Sequence, residues 1–252
     1  MISLKNVEQA AKMRVAGHVL ADVVDALCAA VEPGVTTKHL SQLADRLIRK
    51  AGAVPSFLGY QGFPDALCTS VDKAVVHGIP NNHPLQEGSI VGLDCGLILD
   101  GWQSDMARTV PVGTITPEAQ RLIDVTRQCF FEALKVCRSG NRLGDIGHAV
   151  QAYAEEHGYS VVRPLCGHGI GRAMHEDPEV PNYGEPGRGL RLRPGMVLAI
   201  EPMINAGKHD VVMDGWDVYT VDGKMSAHYE NTVLITTGDP EVLTIRPAET
   251  KA

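Results

Sequence analysis

Aromatic side chains are scarce in this 252-residue sequence, at 5%, and no long apolar run is present. The most apolar N-terminal stretch, Val19 to Val31, is broken by Asp22 and Asp25 and is too short to cross a bilayer. The N-terminus lacks the basic, apolar and small-residue layout of a secretory signal. Positive charge is in deficit: the net charge of −7 argues against a nucleic-acid-binding surface. The six cysteines form no CxxC pair, which excludes a zinc ribbon. They sit among apolar neighbours, as buried free thiols do, so a reducing cytoplasmic home is the expectation.

Several catalytic signatures are missing too. The sequence has no GxSxG elbow, no recognisable cysteine-protease signature, no HExxH and no GxGxxG. A metal-activated water is then the nucleophile the sequence best provides for. Composition is otherwise that of an ordinary soluble globular enzyme, 44% hydrophobic and 21% charged. The length suits one large domain or two small ones with a substantial core.

What is present is a pattern stated twice. Asn6 with Gln9 three residues on reads as a capping box opening a helix to about Ala30. A second helix opens at Thr37 and ends before Gly52. Thr116 followed by Pro117 opens a third, ending near Gly140, and a fourth runs from about Leu143 to His157. Gly34 and Gly52 frame the second helix as Gly140 and Gly158 frame the fourth, at an offset of 106. Inside that frame Leu40, Ala44 and Leu47 face Ile146, Val150 and Tyr153. At an offset of 107, Leu85 to Asp94 matches Leu192 to Glu201: a turn, then a short apolar strand ending in a carboxylate.

Asp105 and Glu230 then each open another apolar strand. Each half so reads as two helices, a strand, and a hairpin carrying two acids. The turns are Asp100-Gly101 in the first half, and Asp214-Gly215 and Asp222-Gly223 in the second. The expected fold is α/β (α+β) with internal pseudo-twofold symmetry, central antiparallel sheets and helices outside. It forms a single catalytic domain over 1–252, with halves of roughly 1–113 and 114–252.

A lone acid at a strand end is usually solvated. Four in matched positions pose a different problem, since two charges about 4 Å apart repel by roughly 4 kcal/mol at an effective dielectric of about 20. If symmetry gathers Asp94, Asp105, Glu201 and Glu230, they must be protonated or neutralised by cations. Two divalent ions supply a near balance. Cys166-Gly-His168-Gly-Ile-Gly171 adds one imidazole in a glycine-dense stretch that leaves no helix to receive a phosphate. Oxygen ligands with one imidazole suit Mn, Fe, Co or Zn rather than a structural zinc.

Seven blocks together resemble type I methionine aminopeptidases from about Lys5 to Leu243. They are Val76-His77-Gly78-Ile79-Pro80, Leu93-Asp94, Ser104-Asp105, Cys166 to Gly171, Met174 to Pro178, Ile200 to Met203, and His228 to Thr232. The resemblance implies the "pita-bread" fold and a metalloaminopeptidase that removes the initiator methionine from nascent proteins, through a hydroxide bridging two divalent ions (Co, Mn, Fe or Zn). It implies metal ligation by Asp94, Asp105, His168, Glu201 and Glu230, with Glu201 also moving the proton. His175 would steady the oxyanion, and His77 would contact substrate near the leaving group. Phe57, Tyr60, Phe63, Cys68, Met174 and Trp216 would line the methionine pocket. Phe57 stands where many relatives have a small or thiol side chain, Phe63 where Tyr is common, and Met174 where Phe is common.

The implied substrates have a small second residue. A ribosome-exit location follows from the family's task. Monomer is the default state, and no nucleic-acid substrate or membrane is expected. Two alternatives stand. One is an X-Pro aminopeptidase or dipeptidase of the same fold, though those relatives usually carry a sizeable preceding domain. The other is a non-catalytic peptide-binding module, though such a protein would be expected to have lost ligands.

Overall fold

The computed structural model describes residues 2–245. Its helices are α1 (Val7–Ala29), α2 (Thr37–Lys50), α3 (Pro117–Val136) and α4 (Leu143–Glu156). The strands, in chain order, are β1 (Val54–Pro55), β2 (Cys68–Val71), β3 (Ala74–Val76), β4 (Ile90–Leu99), β5 (Trp102–Pro111), β6 (Ser160–Val161), β7 (Gly167–Gly169), β8 (Glu176–Val180), β9 (Val197–Ile200), β10 (Met203–Asn205), β11 (Val211–Asp214), β12 (Asp217–Thr220), β13 (Ser226–His228), β14 (Glu230–Leu234) and β15 (Glu241–Val242).

Local chemistry sets the helix ends. Asn6 and Gln9 exchange side-chain and backbone hydrogen bonds at 2.9 and 3.0 Å, closing the capping box of α1. The Thr116 hydroxyl accepts from Ala119 N, and Pro117 occupies the first turn of α3, where no N–H is needed. Helix α3 stops at Val136, short of Gly140, with Cys137 turning out of helical geometry. The helix-framing glycines pair in conformation: φ is +94° and +99° at Gly34 and Gly140, and +77° and +83° at Gly52 and Gly158. Gly88 and Gly195, which precede β4 and β9, both have φ +89°.

Among the described residues a nine-stranded sheet runs β1-β4-β5-β14-β9-β7-β8, with β2 beside β4 and β15 beside β14. Two three-stranded sheets accompany it, β13-β10-β6 and β11-β12-β3. Among the described residues the strand pairings within these sheets are antiparallel. Helices α1 and α2 bury Leu20, Val24, Leu27, Leu40 and Ile48 against Leu93, Cys95 and Leu97 of β4. Helices α3 and α4 bury Leu122, Phe130, Ile146 and Val150 against Leu198, Ile200 and Val233.

Two expectations about the acid hairpins need correction. Asp94 does not end its strand and Asp105 does not open one: β4 and β5 are ten residues each and pass both acids. Burial on both faces lets the ladder continue through a charged position that, in sequence, looks like a break. The Asp214-Gly215 turn also does not close an acid hairpin. It joins β11 to β12 in a separate sheet, while β9 pairs directly with β14.

Candidate active site

Register gathers the acids. Asp94 on β4 and Glu230 on β14 both lie opposite Ala107 of β5, so all three share one face. Asp105 is two residues from Ala107 on the same face, opposite Gly96. Ala199 of β9 is flanked by His168 on β7 and Thr232 on β14. The small residues Ala107 and Ala199 leave space above this floor, while Gly96 is covered by Phe57 and Met174. Glu201 follows directly after β9, where Pro202, lacking an N–H, cannot continue the ladder. The chain leaves the large sheet there, and Pro202 O accepts from Tyr229 N at 3.2 Å where β13 gives way to β14.

Asp94, Asp105, His168, Glu201 and Glu230 thus line one cavity of about 310 Å³, which also admits His77, His175, Phe57, Tyr60, Phe63, Cys68 and Trp216. Its size falls within the range of small-molecule sites. His168 Nε2 lies 3.8 Å from both Asp105 Oδ2 and Glu201 Oε1. The ring's Nδ1 donates to the Gly169 carbonyl at 2.8 Å, which leaves the Nε2 lone pair facing the acids. Buried oxygens Asp94 Oδ1 and Glu230 Oε1 have no hydrogen-bond partner.

Burial pushes the Asp94 carboxyl up to about 7. Burial, then the charges of neighbouring acids, push Asp105, Glu201 and Glu230 well above the carboxylate range. Burial and nearby His175 hold His168 down at about 4. Four acids this buried cannot all ionise without cations among them. The donor set fits a pair of divalent ions. Oxygen and nitrogen atoms of Asp105, His168 and Glu230 lie within 4.8 Å of one another, as do those of Asp94, His228 and Glu230.

The upper walls are apolar and aromatic. Phe63 and Trp216 meet edge to face at 5.4 Å. The Tyr60 hydroxyl lies 2.7 Å from His175 Nδ1, with the two rings stacked at 5.4 Å. Burial lowers the pKa of both His175 and His77. His77 has φ +62°, an uncommon conformation for a side-chain-bearing residue. The next residue must be glycine, because a Cβ at Gly78 would stand 2.1 Å from the Thr69 carbonyl oxygen.

Met174, expected to line the pocket, is buried, its methyl and the Phe57 ring packing over Gly96, and it is not part of the cavity lining. Two lining or facing residues were not expected. Gln61 lines the rim at φ +49°, and nothing in its sequence context signals that. His228 Nε2 stands 3.7 Å from Glu201 Oε2 and 3.8 Å from Glu230 Oε2. It ends β13 in one sheet while Glu230 opens β14 in another, so no strand period in the sequence signals that the two side chains meet.

The model of metallopeptidase family M24 matches residues 11–237. A Clostridium perfringens protein named methionine aminopeptidase is 51% identical over 247 residues, covering 97% of this chain and 99% of its own length. The crystal structure of methionine aminopeptidase from Rickettsia prowazekii superposes with TM-score 0.96 at 44% identity, covering 97% of this chain and all of that one. A prolidase from Pyrococcus horikoshii shares the fold at TM-score 0.76 and 20% identity, and this chain covers 65% of it. The chain belongs to metallopeptidase family M24 and, within it, to the methionine aminopeptidases.

Proposed function

We propose that this chain hydrolyses the peptide bond after an N-terminal methionine, with Asp94, Asp105, His168, Glu201 and Glu230 holding two divalent ions. The observation that carries this reading is the convergence of five donor side chains, four on separate strands and Glu201 just past β9, on a buried floor beneath an apolar cavity. When bound, such ions lower the pKa of a water molecule and polarise a scissile carbonyl.

The remaining steps fall to the chain's own residues. Phe57, Tyr60, Phe63, Cys68 and Trp216 take the methionine side chain, and sulfur–aromatic contact favours a thioether there. Tyr60 donates its hydroxyl proton to His175 Nδ1, so Nε2 carries the ring proton and donates it to the carbonyl oxygen as negative charge develops. Glu201 takes the proton released by the attacking water and passes it to the leaving amine. His77 contacts the peptide on the leaving-group side. Small second residues are preferred, because the site closes around the scissile bond.

The same reading makes the chain one catalytic unit of two pseudo-symmetric halves, roughly 1–113 and 114–252, of which residues 1 and 246–252 lie outside the described ones. It works as a monomer on new polypeptides near the ribosomal exit, in the cytoplasm. The free cysteines agree with a reducing compartment. No helix among the described residues is long and apolar enough to cross a membrane.

The test is elemental analysis together with a peptide panel on metal-reconstituted protein. Release of methionine from Met-Gly-Met-type peptides, with no cleavage of X-Pro peptides, is the expected result. Preferential X-Pro cleavage would instead assign the prolidase activity, and no metal with no cleavage would assign a binding module.

A further inference from the structure

His228 has a buried nitrogen with nothing to bond. The residue ends β13, is 3% exposed, and its Nε2 has no hydrogen-bond partner. It faces the Glu201 and Glu230 carboxylates, at 3.7 and 3.8 Å. Those separations are too long for hydrogen bonds. They are shorter than about 4.2 Å, twice a metal–ligand bond of about 2.1 Å, so a single ion fits between such atoms.

His168 stands in the same relation to its own acids, at 3.8 and 3.8 Å. The parallel extends to the clusters. Asp105, His168 and Glu230 form one triad of close donors, and Asp94, His228 and Glu230 form another. The triads share Glu230, each contains one imidazole, and the two imidazoles face opposite oxygens of Glu201, His168 at Oε1 and His228 at Oε2. Backbone holds His228 in place: its N–H donates to Thr109 Oγ1 at 2.9 Å, and its carbonyl accepts from that hydroxyl at 2.9 Å.

We propose that His228 is a further metal ligand, giving the ion beside Asp94 a nitrogen donor just as His168 gives one to its neighbour. This rests on the two-metal reading above and adds a sixth ligand to it. A nitrogen donor on each ion moves the pair away from the all-oxygen surroundings that suit Mg or Mn and toward Fe, Co or Zn.

The test uses proton NMR of the full chain in water during titration with Co(II). An imidazole bound to paramagnetic cobalt gives a strongly shifted, solvent-exchangeable N–H signal. Two such signals are expected at two equivalents of cobalt, with H228Q removing one and H168Q removing the other. Calorimetry should show one of the two cobalt affinities falling at least about tenfold in H228Q. A single shifted signal in the fully loaded natural protein overturns the proposal, whether or not either variant folds. So do two cobalt affinities unchanged in H228Q. Failure of the natural protein to take up two cobalt ions would be a different result, since it removes the two-metal reading itself.

Discussion

In the proposed reaction His175 has one nitrogen already engaged, and the group engaging it is the Tyr60 hydroxyl at 2.7 Å. With the phenol donating to Nδ1, as the proposed reaction has it, Nε2 carries the ring proton, and the tautomer needed at the carbonyl is set before substrate arrives. Replacing Tyr60 by Phe keeps the apolar wall and removes that bond. One neutral hydrogen bond is worth about 1 kcal/mol, so kcat should fall by roughly fivefold to tenfold with KM nearly unchanged. A rise in KM alone, in steady-state assays on a Met-Gly-Met peptide, would mean Tyr60 only shapes the pocket. His175→Ala removes the donor altogether and should lower kcat by about 10²- to 10⁴-fold while the metal content stays the same. Metal loss from a folded H175A protein, seen by elemental analysis, would show that His175 belongs to the metal site instead.

Helix α1 is fixed by a close approach that its sequence does not advertise. Gly17 sits mid-helix, where glycine weakens a helix, yet a Cβ there would stand 2.2 Å from the Leu243 carbonyl oxygen. Gly17→Ala should therefore destabilise the fold by about 1–3 kcal/mol, despite alanine's better helix propensity. Urea unfolding should show it, with activity per folded molecule unchanged; a stabilised variant would mean the contact yields easily. The sequence shows where helices start and stop because caps and glycines are local signals, and Asn6, Thr116, Gly52 and Gly158 all act where they stand. It misplaces the strand limits around Asp94 and Asp105 because pairing partners decide how far a ladder runs. The four acids that gather at the cavity floor were legible from the repeat. His228 was not assigned a role, since its importance depends on a crossing between two sheets that only the folded chain reveals. Met174 was expected in the pocket on the family resemblance alone, and it is instead buried beside Phe57 in the space left by the missing side chain of Gly96.

Across the fold, the four buried acids tie stability to pH and, in the proposed two-metal state, to cations. Asp94 moves from 3.8 in the unfolded chain to about 7 in the fold, so between those values the folded state holds a proton that the unfolded state has lost. Stability therefore falls as pH rises across that window. Asp105, Glu201 and Glu230, also raised well above their ordinary values, act in the same direction. The histidines oppose them: His168 drops from 6.5 to about 4 and His228 from 6.5 to about 3. Across those intervals the unfolded chain takes up protons that the fold refuses, so stability rises with pH and levels off above 6.5. Above 6.5 the carboxyls act unopposed by these two imidazoles. Chelated protein should accordingly lose stability from pH 6.5 upward, by about 1 kcal/mol per pH unit for each carboxyl still titrating. Divalent ions replace those protons, so loaded protein should hold its stability over the same range, and metal binding near neutral pH should release protons. Urea midpoints with and without chelator measure the first effect, and calorimetry in buffers of different ionisation enthalpy measures the second. A chelated protein whose stability stays level or climbs from pH 6.5 to 8 would show that the four acids do not crowd one another as their burial requires.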